Sequence, residues 1–277
     1  MKVRRVHFHV NPTKPESAAA YEALVPELAA LGMEECASGD EADAIVALGG
    51  DGTILRAARR HLGRPVAGFN LGGLGYLASV ERSDFRRALA MLAGGRFSIS
   101  RRTMLEARKT GEGVRAALAL NDIVLMRELS GRAAVLDLAV DGKAAARYFA
   151  DGLVFATPTG STAYSLSAGG PVVMPDSPSF VVTPMNPHAL GIRPMVVGDT
   201  VSISVASRPR GGGRDGRIGV YADGESALML DDGETLEIRK AAECAAIVEF
   251  DGHDPYGVMS RKLGWSAGAR TTDRTGI

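Results

Sequence analysis

Only two cysteines, Cys36 and Cys244, occur in 277 residues, and they stand far apart in sequence. A disulfide framework and a cysteine zinc site are both excluded by that count, and the usage points to a reducing cytoplasm. Net charge is also missing, since Lys+Arg and Asp+Glu both number 32. Binding nucleic acid through overall charge needs a clustered basic surface, so no nucleic-acid partner is expected. No apolar run approaches the ~18 residues that span a bilayer. The basic start from Met1 to Val10 meets Asn11-Pro12 before a signal-peptide core can form, so no membrane partner is expected either. The Walker A pattern and a Gly-x-Ser-x-Gly elbow are both absent, which leaves no P-loop enzyme and no anchor for a hydrolase triad. The histidines (His7, His9, His61, His188 and His253) lack metal-ligand spacing, and no protein-held metal site is expected.

What is present is ordinary globular material, 45% hydrophobic and 23% charged, which excludes disorder across the chain. The first hundred residues alternate strand and helix. Val6, Phe8 and Val10 share one strand face, with His7 and His9 on the solvent side. Tyr21, Leu24, Val25, Leu28 and Leu31 recur at helical spacing up to Gly32, although Pro26 removes one helix hydrogen bond. Ala44 to Leu48 and Pro65 to Phe69 have the wholly apolar character of buried parallel strands, with a helix from Thr53 to Leu62 between them. Ser83 is placed to cap a helix carrying Phe85, Leu89 and Leu92 that stops at Gly94-Gly95. This alternation predicts βαβ units and a doubly wound sheet. Beyond about residue 98 the chain turns to short β-type runs: Leu118 to Met126, Val135 to Val140, Leu153 to Thr157, Val201 to Val205, Ile218 to Ala222, Leu236 to Ile238 and Ala245 to Phe250. Asp-Gly pairs at 141, 223, 232 and 251 suit two-residue hairpin turns, so a largely antiparallel β domain is predicted. Arg208 to Arg217 reads as a mobile hairpin tip. Gly211 to Gly216 matches Gly-x-Gly-x-x-Gly by letter, but a strand and not a helix follows it, so it carries no dinucleotide signal.

Four segments carry chemistry. Gly49-Gly50-Asp51-Gly52-Thr53 follows a buried strand and opens a helix, the place where α/β sheets bind ligands and where backbone N–H groups approach phosphate. A carboxylate among phosphates needs a task, either binding Mg²⁺ or taking a proton from an attacking hydroxyl; the plain alternative is a tight turn with Asp51 as helix cap. A second glycine loop, Leu71-Gly72-Gly73-Leu74-Gly75-Tyr76, ends the next strand. The run Asp151 to Ser167 ends an apolar strand in a turn dense with hydroxyls. Thr159, Ser161 and Thr162 can bond sugar, base or phosphate, and Tyr164 offers a stacking face. In the alternative reading those hydroxyls serve the backbone. Asn121-Asp122 adds an amide able to read a base edge, or marks a turn.

Together these segments resemble the NAD kinase (ATP-NAD kinase) family over most of the chain. Asn11 to Pro15 resembles its opening loop, Gly49 to Thr53 its diphosphate-binding motif, and Gly73 to Tyr76 its next glycine loop. Thr157 to Tyr164 resembles its most diagnostic motif, which separates it from the lipid kinases and phosphofructokinases that share Gly-Gly-Asp-Gly-Thr. Pro187 to Leu190 and Arg193-Pro194 resemble the stretch that follows, and Arg261-Lys262-Leu263-Gly264-Trp265 its C-terminal signature.

The resemblance implies an N-terminal Rossmann-like α/β domain over 1–98, to which 256–277 return, and a C-terminal, mostly antiparallel β-sandwich domain over 99–255 that binds NAD. It implies phosphoryl transfer from ATP, with Mg²⁺ or another divalent cation, to the 2′-hydroxyl of the adenosine ribose of NAD. Asp51 would be the general base and Gly52 would lie against the nucleotide. Tyr76, in the second glycine loop, stands where Phe is more usual. Asn121 and Asp122 would contact the dinucleotide, Asp151 its nicotinamide side, and Thr162, Ala163, Tyr164, Ser165, Leu166 and Ser167 its adenosine half. Arg56 and Arg132 are candidates for phosphate or ribose contacts. A cytoplasmic homo-oligomer, dimer or tetramer, is expected. Asp122, Phe149 and Glu225 stand where the family more often has Glu, a basic residue and Gln, changes that bear on NAD against NADH or on the phosphoryl donor. The alternatives are a lipid or sugar kinase with the same loop, and a non-catalytic NAD(H)-binding sensor.

Overall fold

The computed structural model describes residues 2–11, 13–72, 75–77, 80–111, 117–128, 133–208 and 217–265. Within them the chain divides into two compact units. One holds the residues up to Ala57, Arg64–Ser100 and the segment from Ile247; the other holds Ala58–Gly63 and Arg101–Ala246.

The first unit alternates β1 (Arg5–Val10), α1 (Pro15–Ala30), β2 (Glu34–Glu35), β3 (Ala44–Gly49), α2 (Asp51–Arg60), β4 (Pro65–Asn70) and α3 (Phe85–Gly94). Its strands run parallel in the order β2-β1-β3-β4. Every residue of β3 and β4 is buried, which is why the run is apolar in sequence up to Asn70. Pro26 lies inside α1 without ending it, since Ala20, Leu24 and Leu28 anchor the helix in the core on both sides of the missing bond. The N-cap of α3 is Asp84. Ser83 instead lies in a 3-10 turn over Arg82–Asp84, a correction to its expected capping role. Gly95 ends α3 at φ 74°, where a β-carbon would be strained. His7 and His9 lie on the face of β1 opposite Val6 and Phe8 and are half-buried; His7 Nδ1 sits 3.0 Å from the Cys36 carbonyl.

The second unit is all β apart from short turns: β5 (Phe97–Lys109), β6 (Ala117–Ala119), β7 (Asp122–Arg127), β8 (Ala134–Val140), β9 (Lys143–Ala150), β10 (Gly152–Ala156), α4 (Tyr164–Ser167), β11 (Ser179–Met185), β12 (Met195–Gly198), β13 (Ile203–Ser207), β14 (Ile218–Ala222), β15 (Glu225–Leu230) and β16 (Thr235–Phe250). The last helix, α5 (Pro255–Leu263), belongs to the first unit. One antiparallel sheet runs β12-β11-β10-β7-β14-β15; against it pack β16, β13, β8 and β9, with β5 and β6. Ile123, Leu125, Leu153, Phe155, Phe180 and Val182 point into the core between the layers. Their neighbours Val124, Val154, Ala156 and Val181 point to the other face, which is also buried. A strand covered on both faces shows no polar alternation, as β7, β10 and β11 illustrate.

The fold class is therefore the one expected, an α/β part followed by an antiparallel β part. The turns need correction. Asp141-Gly142 and Asp223-Gly224 are two-residue hairpins, with positive φ at both residues. Asp232-Gly233 instead carries the chain from β15 to β16 in another sheet, and Asp251-Gly252 leads from β16 to α5. The single run expected from Leu118 to Met126 is broken at Leu120-Asn121 into β6 and β7. Leu236 to Ile238 and Ala245 to Phe250 are one strand, β16. Most of the expected hairpin tip at Arg208 to Arg217 lies outside the described residues, as do Gly73, Leu74 and Arg132. No helix among the described residues is long and apolar enough to cross a membrane.

Candidate active site

In the first unit the centre of interest is the turn from β3 into α2. Gly49 is required there: a β-carbon would overlap the Thr53 side chain, which closes the first helical turn. Thr53 and Ile54 donate their N–H groups to the Gly50 carbonyl, and Leu71 N–H donates to Gly49, so the two glycine loops join at their bases. Asp51 opens α2. Its carboxylate accepts the backbone N–H of Tyr76 at 2.6 Å and of Leu77 at 3.1 Å. The carboxylate is thus fixed across the second glycine loop, and Asp51 does not merely cap its own helix. Gly52 and Arg56 are exposed on α2. The Tyr76 ring lies beneath the Lys262 ammonium, 3.7 Å from nitrogen to ring centre. Burial pushes the Tyr76 phenol up, and the Asp51 charge adds to that. Burial draws the Lys262 ammonium down to about 8 against the opposing pull of Asp51.

Sequence reasoning missed Ser17 in this unit. Its hydroxyl donates to the Leu48 carbonyl at 2.6 Å and accepts the Asn11 N–H at 3.1 Å, tying the opening loop to the end of β3.

The second unit holds two groups of expected residues. In one, the Asp223 carboxylate accepts three backbone N–H groups, from Leu120 (3.0 Å), Asn121 (2.7 Å) and Asp122 (3.2 Å). Asp223 is nearly inaccessible, and Arg59 Nε stands 3.6 Å from it; Arg59 also bonds the Ala222 carbonyl and pairs with Glu225. Burial and the Asp223 charge push the Asp122 carboxyl up to about 7. Burial raises Asp223 too, against its three N–H donors and Arg59. Asp223 and Arg59 were not among the expected contacts. The Asp-Gly pair at 223 signalled a turn, and nothing local marked its carboxylate as the clamp on a segment a hundred residues earlier.

Asn121 is clamped from both sides. Its N–H goes to Asp223 and its carbonyl accepts the Thr157 N–H at 2.9 Å. Gly160 packs so closely that a β-carbon would overlap the Asn121 carbonyl oxygen. The half-buried Asn121 side chain is thus carried on a rigid backbone. Asp122 lies just inside β7, buried.

The hydroxyl-rich segment divides by burial. Thr157 donates to the Leu120 carbonyl (2.6 Å) and accepts the Gly160 N–H (3.0 Å). Ser161 is buried; its hydroxyl serves the Pro158 and Val173 carbonyls (2.7 and 3.1 Å) and accepts the Val173 N–H (2.9 Å). Offering Ser161 to a ligand was thus a misreading, because the fold uses its hydroxyl. Ser165 is likewise buried, 2.8 Å from the Thr183 hydroxyl, so its side chain faces the core. Thr162, Ala163 and Leu166 are half-buried, with the Thr162 hydroxyl 3.4 Å from the Thr159 carbonyl; Tyr164 and Ser167 are exposed.

Tyr164 and Ser167 line a cavity of about 280 Å³ with Met126, Asp151, Ala168, Met185 and Asn186. At its wall Asp151 pairs with Arg127 (2.7 Å) and accepts the Asn186 amide (2.9 Å). Sequence reasoning missed Arg127 and Asn186. Phe149, where a cation is more usual, is a partly exposed apolar side chain on β9.

Comparison with known proteins decides the family. A model of the ATP-NAD kinase N-terminal domain matches residues 8–97, and one of the C-terminal domain matches residues 120–250. The chain belongs to the ATP-NAD kinase family. It is 40% identical over 227 residues to the NAD kinase of Syntrophotalea carbinolica, covering 80% of this chain and 78% of that one. It is 36% identical over 265 residues to the NAD kinase of Burkholderia pseudomallei, covering 94% and 84%. Among solved structures, the yeast NADH kinase complexed with NADH superposes with a TM-score of 0.86 at 25% identity, covering 98% of this chain and 90% of that one. The NAD kinase from Archaeoglobus fulgidus in complex with ATP superposes with a TM-score of 0.74 at 27% identity, covering 95% and 98%.

Proposed function

We infer that this chain is an ATP-dependent NAD kinase, a transferase that moves the γ-phosphoryl group of ATP to the 2′-hydroxyl of the adenosine ribose of NAD and so makes NADP. The observation that carries this reading is the Asp51 carboxylate, fixed by two backbone N–H groups at the end of a buried parallel strand in a chain of this family.

Asp51 is the general base. The ribose 2′-hydroxyl gives its proton to the carboxylate, its oxygen bonds to the γ-phosphorus, and the bond from that phosphorus to the β,γ-bridging oxygen breaks to release ADP. Such transfers proceed by positioning and charge stabilisation, with no covalent intermediate required. Mg²⁺, or another divalent cation, arrives as part of the ATP complex and neutralises phosphate oxygens. Gly52, which has no side chain to obstruct approach, leaves room for the nucleotide beside Asp51. Arg56, exposed on the same helix, and Arg132 are offered to phosphate or ribose, and Tyr76 lies against the nucleotide.

The β-rich part, expected from the sequence over 99–255 and compact over Arg101–Ala246 in the structure, is the NAD-binding part. Asn121, on its clamped backbone, reads a base edge, and Asp122 adjoins it. Tyr164 stacks on the adenosine half, with Thr162, Ala163, Leu166 and Ser167 around it and Ser165 fixing the turn from inside. Asp151, oriented by Arg127 and Asn186, faces the nicotinamide side. The enzyme works in the cytoplasm as a homo-oligomer, dimer or tetramer; the low cysteine count supports the first and the family resemblance the second. Incubation with ATP, Mg²⁺ and either NAD or NADH, followed by a coupled assay for NADP(H), tests the reading. Phosphorylation of a diacylglycerol or a hexose, with none of NAD or NADH, would replace it.

A further inference from the structure

We propose that Lys262 is a phosphate-binding cation of the reaction, contacting polyphosphate oxygens beside Asp51. Three observations within the first unit lead there. The Lys262 nitrogen is buried and has no hydrogen-bond partner among the described residues. Long lysine side chains ordinarily carry their ammonium out to water, and an ammonium has three donors to satisfy. This one is turned inward and held over the Tyr76 ring, a contact that attracts a cation without using any N–H donor. Tyr76 is also the residue whose backbone N–H holds the Asp51 carboxylate, and the Asp51 charge acts on Lys262.

The helix that carries Lys262 is fixed at both ends. Asp254 caps α5 by accepting the Gly257 N–H at 2.9 Å, and Gly264 ends it in the left-handed conformation. Met259 on the same helix is buried. Lys262 is therefore positioned by a docked helix. Its three unmatched donors call for an anion with several oxygens, and the polyphosphate of a nucleotide supplies one. No bond to Lys262 forms or breaks; it offsets charge on phosphate oxygens, as charge-assisted donors do.

The proposal rests on the NAD kinase reading, and the test separates the two. If the wild-type chain makes no NADP(H), that reading fails whatever Lys262 does. The role of Lys262 is read independently by adding inorganic tripolyphosphate to the full chain and following its melting temperature. Tripolyphosphate is expected to raise the melting temperature of the wild type and of Lys262→Arg, and to leave that of Lys262→Met unmoved. In turnover, Lys262→Met is expected to lose about 10²–10³-fold in kcat, as for removal of one transition-state donor, with Lys262→Arg recovering at least about a tenth of the wild-type rate. Calorimetry with ATP and with NAD, each alone, identifies the contacted nucleotide as the one whose affinity Lys262→Met weakens. An equal tripolyphosphate shift in wild type and Lys262→Met overturns the proposal. So does a folded Lys262→Arg that is no more active than Lys262→Met.

Discussion

Asp223 illustrates how a single side chain organises a site it need not touch. Its carboxylate gathers three consecutive N–H groups, at Leu120, Asn121 and Asp122. Asp223→Ala leaves those donors without their acceptor and removes one of the two carboxylate partners of the half-buried Arg59. A loss of about 1–3 kcal/mol in unfolding free energy is expected by denaturant titration, with NAD affinity falling because Asn121 is no longer held. Stability and affinity both equal to wild type would deny Asp223 that function. At this scale the sequence was most informative where chemistry and backbone geometry coincide. Gly49-Gly50-Asp51 is legible because a buried strand, a glycine that nothing larger replaces and an acidic residue occur in succession. Ser161 is the opposite case: hydroxyls that serve the backbone and hydroxyls that serve a ligand look the same until their partners are known.

Among the elements, those with a strong local signature were legible and those defined by partners were not. Alternating β and α signals placed β1, β3, α2, β4 and α3 within a few residues, since each is bounded by glycine, proline or a polar turn. Strand β9 (KAAARYFA) is not legible in the sequence, because four alanines and two cations carry little β preference; pairing with β8 makes it a strand. The sequence pattern does not mark β11, β12 or β15 as strands either. The turn from β10 into α4 shows how tightly elements can constrain one another: Gly160 lies against the Asn121 backbone with no room for a methyl group. Gly160→Ala is expected to destabilise by about 1–3 kcal/mol through overpacking. It should also raise KM for NAD, since relief of the overlap displaces Asn121. Unchanged denaturant midpoint and KM would mean that the two segments do not press on each other as described.

For the whole molecule, balanced charge hides an uneven distribution of proton affinity. Asp122 stands at about 7 in the folded chain, and Asp223 is also raised; both return to the ordinary carboxylate range on unfolding. Between about pH 4 and 7 the folded chain therefore holds protons that the unfolded chain has released, and stability falls as pH rises through that window. The lowered carboxylates Asp43, Glu106 and Glu234 act in the opposite sense, but their contribution is complete above the ordinary carboxylate pKa. The melting temperature should thus decline from about pH 5 to about pH 8 at constant ionic strength, and Asp122→Asn should decline less steeply. Parallel pH profiles for the two proteins would contradict the raised Asp122.

The fold class was legible from the change in pattern near residue 98, and the family from motifs distributed along nearly the whole chain. What stayed hidden were long-range clamps such as Arg59 to Asp223 and Arg127 to Asp151, because neither charge has a partner nearby in sequence.

The most direct measurement is NADP formation by Asp51→Asn beside calorimetric binding of NAD. Asparagine keeps the size of aspartate but cannot take the ribose proton at neutral pH. The variant should bind NAD like the wild type and lose about 10²–10⁴-fold in kcat. An Asp51→Asn enzyme that turns over at close to the wild-type rate would remove Asp51 from the chemistry.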